Sequence, residues 1–216
     1  MRQPLAAIAI LSTLLAAFGL STGCSSRKEP LKVATASPAS DTPVLSEFQP
    51  LSGTPYLMAT VGTTDERSEG LKSLENYKSG GQTRNLVFLD SGSLSSQRLF
   101  ESNAYIIVHT DQYTQKIKGQ SVVRWLVHQV IKADTNQDGQ LNHNDSITLG
   151  ISSPSGKDYV EVLDDVDQFF GQEMVSPGRL IAIYQKENAK GVSMIDLDKR
   201  SITASRPLIN LSSQTK

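Results

Sequence analysis

The chain has 216 residues, with 21 lysines and arginines against 22 aspartates and glutamates and a formal net charge of −1. A protein that binds nucleic acid needs a basic surface, and this charge balance, with an isoelectric point near 6.3, excludes that class. The single cysteine excludes an internal disulfide and a cysteine-based zinc site, so the folded part must be stabilised by a hydrophobic core.

The first 23 residues have the pattern of a secretory signal peptide. Arg2 is their only charged residue, positions 5–20 are predominantly apolar, and small residues stand directly before Cys24. An apolar run of this length with these flanks is too short for a spanning helix. We therefore predict that residues 1–23 direct export and are removed, which leaves 20 basic against 22 acidic residues and a net charge near −2.

Cys24, preceded by small residues, resembles the lipobox of bacterial lipoproteins, although Ser21 stands where that family usually has an aliphatic residue. The resemblance implies that Cys24 becomes the lipidated first residue and that its acyl chains, such as palmitate, anchor the protein to a membrane. Ser25, rather than aspartate, after the cysteine implies sorting to the outer membrane, facing the periplasm or the cell surface. The alternative is an ordinary signal peptide followed by an incidental free thiol.

Residues 24–55 are predicted to form the lipidated cysteine and a flexible tether. Ser, Thr, Ala and Pro dominate this stretch, and such a composition buries too little apolar surface to offset the entropy lost on ordering. A tether of about 30 residues would reach roughly 30 Å. The alternative is a structured arm in which Val44, Leu45 and Phe48 dock as an edge strand.

Residues 56–211 are predicted to form one all-β domain, followed by a short tail at 212–216. Short runs rich in β-branched and aromatic residues occupy positions 56–61, 85–89, 104–108, 147–151, 159–163, 180–184 and 192–195. Turns that contain glycine or proline separate these runs, for example at 118–119, 154–157 and 176–178. Short strands with turns at this spacing predict antiparallel meanders.

A faint internal repeat divides the predicted domain into two units, 56–109 and 125–197. Each unit has the order strand, long polar insertion, strand, turn, strand, turn and strand, with insertions at 63–82 and 134–145. The units resemble the four-stranded blades of the periplasmic propellers of the Tol system. Because two blades cannot close a ring that needs at least about four, we expect two blade-like four-stranded sheets packed together.

The segment 134–145, with the sequence DTNQDGQLNHND, resembles the twelve-residue calcium loop of the EF-hand and dockerin families. Such a loop supplies oxygen ligands from positions 1, 3, 5, 7, 9 and 12, and a glycine at position 6, here Gly139, allows the sharp turn. The resemblance implies one Ca²⁺ held by Asp134, Asn136, Asp138, the Gln140 backbone carbonyl, Asn142, directly or through water, and Asp145.

Position 12 of this loop is Asp145, where the EF-hand family has glutamate. The shorter side chain reaches less easily for bidentate binding, so we expect a weaker site, suited to a calcium-rich compartment. The alternative is a polar turn whose aspartates and asparagines satisfy their own backbone without a metal.

The flanks of the loop predict strands rather than the helices of an EF-hand. The preceding segment, 123–133, fits a helical stripe and a strand face about equally. After the loop, Ile147, Leu149 and Ile151 alternate with polar residues and Gly150, and a glycine inside a helix would cost about 1 kcal/mol. We therefore predict that the calcium loop connects two strands.

Two classes of function follow from these patterns. The first is a calcium-binding envelope lipoprotein that acts as a binding or structural module for a protein or glycan partner. The second is a cell-envelope enzyme whose dispersed site is not visible in the sequence, or a metal-free structural lipoprotein. The sequence contains no nucleophile elbow, phosphate-binding glycine loop or zinc-protease motif, so we assign no catalytic residue and favour the first class.

Overall fold

A computed structural model of the chain describes residues 43–63 and 82–208. All of these residues belong to one unit, 32–216, and the described part contains strands and turns without a helix. It therefore has no helix that could cross a membrane. The strands are β1 (Pro43–Leu45), β2 (Gln49–Pro50), β3 (Tyr56–Thr63), β4 (Thr83–Asp90), β5 (Ser96–Arg98), β6 (Ile106–Ile117), β7 (Gln120–Ile131), β8 (Ile147–Ser152), β9 (Val160–Val166), β10 (Gln168–Ser176), β11 (Arg179–Lys186), β12 (Ala189–Asp196) and β13 (Ser201–Pro207). The predicted signal peptide at 1–23, Cys24 and the tail at 212–216 lie outside the described residues.

The strands form three antiparallel sheets that follow one another along the chain. The first sheet has the order β1-β3-β4-β5, with β2 also paired to β3. The middle sheet is the meander β6-β7-β8-β9, and the last sheet is the meander β10-β11-β12-β13. Consecutive four-stranded meanders are the building units of β-propellers. The predicted all-β fold of antiparallel, blade-like sheets packed together is confirmed.

The structure has three sheets in its described part, whereas the sequence repeat predicted two. The second predicted unit, 125–197, begins inside β7 of the middle sheet and ends just after β12 of the last sheet. Strands β5, β10 and β13, which contain none of the predicted apolar runs, are largely exposed edge strands. Because an exposed edge strand needs few apolar residues, its sequence lacks the apolar run by which the other strands are recognised.

The first sheet begins at Pro43 rather than at residue 56. Leu45 on β1 is opposite Val61 on β3, and Gln49 on β2 is opposite Met58. Leu51, just after β2, is only 1% exposed and belongs to the core. The stretch 43–55, which was predicted as part of the tether, therefore pairs with the sheet, which corresponds to the edge-strand alternative.

The middle sheet is covered on both faces. One core lies between the first and middle sheets and consists of Leu51, Leu86, Phe88, Leu99, Ile107, Val123, Leu126 and Val130. The other lies between the middle and last sheets and consists of Trp125, Val127, Leu149, Ile151, Leu163, Val166, Leu180, Ala182, Ile195 and Leu197. Strand β7 contributes to both cores, and a strand buried on both faces reads as a nearly continuous apolar run. This explains why helix and strand patterns fit 123–133 equally well.

Two close backbone approaches join the sheets where only glycine fits. Gly156, in the turn between β8 and β9, has φ +79°, and a Cβ there would lie 2.2 Å from the ring of Phe88 in the first sheet. Gly53 has φ +72°, and a Cβ there would lie 2.8 Å from Val122 of β7. Any side chain at either position would force the two sheets apart.

Candidate metal centre

The segment 134–145 lies at the tip of the hairpin formed by β7 and β8. Ile131 and Ile147 are opposite each other at the base of the hairpin, so the chain leaves and re-enters the sheet at neighbouring positions. The predicted strand, loop and strand connection is confirmed. An ion bound at this tip would hold together the two central strands of the middle sheet.

The first half of the loop folds around the side chains of Asp134, Asn136 and Asp138. The Asp134 carboxylate accepts hydrogen bonds from the backbone amides of Asp138, at 3.2 Å, and Gly139, at 2.8 Å. Asn136 Oδ1 accepts from the Asp138 amide at 2.9 Å, and Asp138 Oδ1 accepts from the Gln140 amide at 2.8 Å. These are successive Asx turns, which wrap the chain tightly around its own side-chain oxygens.

Two residues in this half adopt left-handed backbone conformations. Gly139 has φ +84°, and Gln137 has φ +61°. The glycine at position 6 is therefore required by the turn itself, as the sequence pattern predicted.

The side chain of Asp138 lies at the centre of the exposed part of the loop. Its Oδ2 accepts hydrogen bonds from the side-chain amides of Asn136, at 3.3 Å, and Asn142, at 3.2 Å. The pKa of the Asp138 carboxyl is lowered, first by the backbone hydrogen bond from Gln140 and then by these two amides. The carboxylate is therefore held in its charged form, which is the form that binds a cation.

Asp145 closes the loop from inside. It is only 2% exposed, and its Oδ1 accepts from the backbone amides of Thr135, at 2.8 Å, and Asn136, at 3.3 Å. Its Oδ2 accepts from the backbone amide of Asn142 at 2.9 Å. Thr135 in turn accepts from the Ser146 amide through its hydroxyl, at 2.8 Å. The residue at position 12 thus links the first and last parts of the loop.

The donors of the loop fit a hard cation such as calcium. Hydrogen bonds within the loop connect the six predicted ligand residues. Every atom that these residues would offer to a cation is an oxygen. Among the residues that the structure describes, no three histidine, cysteine or acidic side chains form a metal-binding group. A cation here would therefore need amide and backbone oxygens in addition to the carboxylates, which is a donor set typical of calcium rather than zinc.

Counting lone pairs shows which oxygens remain free for a cation. A carboxylate or amide oxygen has two lone pairs. Asp145 Oδ1 already accepts two backbone amides, whereas its Oδ2 accepts one. Both oxygens of Asp134, Asp138 Oδ1 and the side-chain oxygens of Asn136 and Asn142 each accept one backbone amide. Every predicted side-chain ligand therefore retains an oxygen with a free lone pair.

A second polar group, His128, is buried in the middle sheet. The ring of His128 is fully buried, with Nδ1 3.0 Å from Thr110 Oγ1 and Nε2 2.9 Å from Ser152 Oγ. Ser152 is fully buried too and donates to the carbonyl of Ser153 at 3.2 Å. A serine beside a histidine is a nucleophile and base in many hydrolases, but this pair is enclosed in the core and acts there as a structural hydrogen bond.

A cleft of about 490 Å³ lies where parts of the three sheets meet, and the sequence did not predict it. Trp125 forms part of its wall, and the indole Nε1 donates to Asp198 Oδ1 at 3.2 Å. Arg124 lies over the Trp125 ring at 5.7 Å and contacts Asp198 at 3.9 Å. Arg124 and Trp125 lie on β7, whereas Asp198 lies in the turn between β12 and β13, so no local motif could have revealed this contact.

Comparisons with known proteins assign no family to the chain, and they include the following two structural neighbours of low sequence identity. No protein-family model matches the chain, and no curated protein matches it. The fold is similar to the β-propeller domain of the Trilobed protease from Pyrococcus furiosus, with 8% identity and a TM-score of 0.41 over 79% of this chain and 44% of that one. An acylaminoacyl peptidase from Pyrococcus horikoshii is similar at 10% identity and a TM-score of 0.37 over 80% of this chain and 26% of that one. The chain spans less than half the length of either neighbour.

Proposed function

We propose that the protein is a calcium-binding lipoprotein of the bacterial cell envelope that acts as a binding or structural module. The signal-peptide pattern and Cys24 support the lipid anchor. The calcium proposal is carried by one observation: side-chain oxygens of Asp134, Asn136 and Asp138 surround a single tight turn, and each residue retains a free lone pair.

The residues that would hold the ion differ in what they can contribute. Asp134, Asn136, Asp138 and Asn142 each offer at least one side-chain oxygen, and the Gln140 carbonyl follows the same turn. Asp145 can offer only Oδ2, because its Oδ1 is fully used by two amides. Without a bidentate ligand at position 12, the site has about six protein oxygens, the low end of the calcium range, and we expect a weak site.

The chemistry that calcium would supply is electrostatic. A divalent cation would neutralise the negative charges that Asp134 and Asp138 bring together at the hairpin tip. Because the ion would bind the native loop and not the unfolded chain, it would stabilise the middle sheet by mass action. The fold itself does not depend on the ion, since the loop is already closed by hydrogen bonds through Asp145.

The test is a pair of thermal melts of the full chain in detergent, with calcium and with a chelator. At about 100 times Kd, calcium adds about 2.7 kcal/mol to the free energy of unfolding, which raises the Tm of a domain of this size by roughly 5–10 °C. In the double variant Asp134→Asn with Asp138→Asn, each side chain keeps one oxygen, which can still accept the backbone amide of Gly139 or of Gln140, but two charges are lost. We expect this variant to fold and to lose the calcium-dependent rise in Tm.

The matched control removes two acidic charges from strand β9, outside the loop, in the variant Asp164→Asn with Asp165→Asn. Asp164 pairs with Lys186 at 2.9 Å, and Asp165 has φ +51°, a conformation that asparagine tolerates. This variant should keep the full rise in Tm. Equal melting temperatures of the unmodified protein in chelator and in calcium titrated to about 100 mM, which is about 100 times the Kd of a millimolar site, would show that 134–145 is a metal-free turn. An equal rise with magnesium would show a general cation site.

The module role rests on the anchored location and on the predicted partners, an envelope protein or a glycan. A pull-down from intact membranes, carried out with calcium and with chelator, identifies such a partner. Enrichment of one protein or glycan by the unmodified chain supports the binding role. Turnover of a captured glycan or peptide would instead support the alternative of an envelope enzyme.

A further inference from the structure

The first and last sheets each have one face that no other described sheet covers. Both faces of the middle sheet are buried, one against the first sheet and one against the last. Within 43–63 and 82–208, the outer face of the first sheet and the outer face of the last sheet have no such neighbour. We name these two surfaces the first free face and the last free face.

The last free face is apolar at its centre. Residues directly opposite each other on neighbouring antiparallel strands point to the same side of a sheet. Ile181 is opposite Met194, and Ile183 is opposite Val192, and all four are partly exposed. The residues that alternate with them, such as Leu180, Ala182 and Ile195, are fully buried against the middle sheet. The four partly exposed side chains therefore form the centre of the last free face, and Glu173, opposite Ile181, and Arg206, opposite Val192, lie beside them on the same side.

The first free face has the same character. Leu57 is opposite Leu89, and Ala59 is opposite Val87. The alternating residues Leu86 and Phe88 on β4 are buried against the middle sheet, so the first set points outward. Leu57, Val87 and Leu89 remain partly exposed, whereas Ala59 and Val61 on the same side of β3 are already buried within the single chain, so the free part of this face centres on Leu57, Val87 and Leu89. Both ends of the row of sheets thus present aliphatic side chains of the kind that fill the two internal cores.

The number of sheets determines what such ends can pack against. Propellers close with about four to eight blades, so a row of three sheets cannot close on itself. We propose that two copies of this chain pair head to tail, with the first free face of each copy packed on the last free face of the other. Two such contacts, related by a two-fold axis, close a ring of six sheets, which is within the range of known propellers.

The buried area favours the closed pair over a single open contact. The first sheet has 24 strand residues against 32 in the last, so its face limits the contact. At a strand spacing of about 4.8 Å and about 3.3 Å per residue, the smaller face covers roughly 380 Å². One contact between two copies would bury roughly 760 Å² in total, which is below the usual range of stable interfaces. Two contacts bury roughly 1,500 Å², which is enough for a stable dimer. The ring therefore forms as a dimer or not at all.

The test measures the mass of the full chain by sedimentation equilibrium in density-matched detergent, with micelles in large excess over protein. We expect twice the mass of one chain at about 10 μM protein. Leu89→Asp on the first free face and Ile183→Asp on the last free face should each give the mass of one chain, because a buried unpaired charge disrupts both contacts. Leu94→Asp is the matched control, since Leu94 is 76% exposed in a turn outside both faces, and it should remain a dimer.

Each other result overturns the proposal. If the unmodified protein has the mass of a single chain, the proposal is wrong. It is also wrong if only one of the two variants, Leu89→Asp or Ile183→Asp, dissociates the dimer, because the dimer would then form by pairing of one face with the same face of the other copy. A photoreactive phenylalanine analogue at Met194 gives a second measurement in an otherwise unmodified fold. Cross-links from this position should join two chains and map to β3 or β4 of the partner, and cross-links confined to one chain would contradict the ring.

Discussion

At the residue scale, His128 is the buried group whose charge state the fold constrains most clearly. The Ser152 hydroxyl donates its hydrogen to the carbonyl of Ser153, so the Ser152 oxygen must accept from the Nε2–H of the His128 ring. The other ring nitrogen, Nδ1, then accepts from the Thr110 hydroxyl. The neutral ring is thus fully satisfied. Burial lowers the pKa of His128 to about 3, because the charged imidazolium would be removed from water.

We predict that this histidine makes the protein less stable in mild acid. In the unfolded chain the imidazole binds a proton below its ordinary pKa of about 6.5, whereas in the native state it stays neutral down to about pH 3. The free energy of unfolding therefore falls as the pH falls from about 6.5 to about 3, by about 1.4 kcal/mol per pH unit. Urea denaturation between pH 6 and about 5.5 measures the slope above the range where most carboxylates titrate. His128→Gln should lower the slope by this amount. An unchanged slope in His128→Gln would contradict the assignment.

At the scale of elements, the sequence predicted the buried strands and the loop but not the edges. The apolar alternation of β8 and the runs of β4 and β11 coincide with strands because burial on at least one face requires apolar residues. β10 and β13 are exposed, and their sequences carry no such signal. The loop at 134–145 was predictable because its turn depends on local residue types, whereas the cleft at Trp125 depends on contacts between distant strands.

The turn between β8 and β9 yields a prediction about how the sheets are held together. Gly156→Ala should destabilise the protein by about 2–4 kcal/mol, since it combines a strained left-handed conformation with a clash against Phe88. Gly119→Ala is the control, because Gly119 has φ +84° with open space around it, and it should cost only about 1–2 kcal/mol. Urea denaturation compares the two variants. Equal losses would mean that the contact of Gly156 with Phe88 adds nothing to stability.

At the scale of the whole molecule, three sheets in series explain both the core and the unused surfaces. The middle sheet packs against another sheet on both of its faces, whereas the first and last sheets each pack against the middle sheet on one face. The sequence predicted blade-like sheets correctly but could not give their number, because the boundary between the middle and last sheets falls where β9 and β10 are separated only by Asp167. A connection of one residue carries no turn signal of glycine or proline.

The last prediction concerns what attaches this body to a membrane. If the acyl chains on Cys24 supply the anchor, each buried methylene contributes about 0.8 kcal/mol, and two or more chains hold the protein stably without a spanning segment. Cys24→Ser should then leave the protein in the soluble fraction or as an uncleaved precursor. Ser25→Ala, which keeps the sulfur, should remain in the membrane fraction. Growth with labelled fatty acid, followed by fractionation, measures both effects, and an unmodified protein that takes up no label would show that Cys24 is not a lipid attachment site.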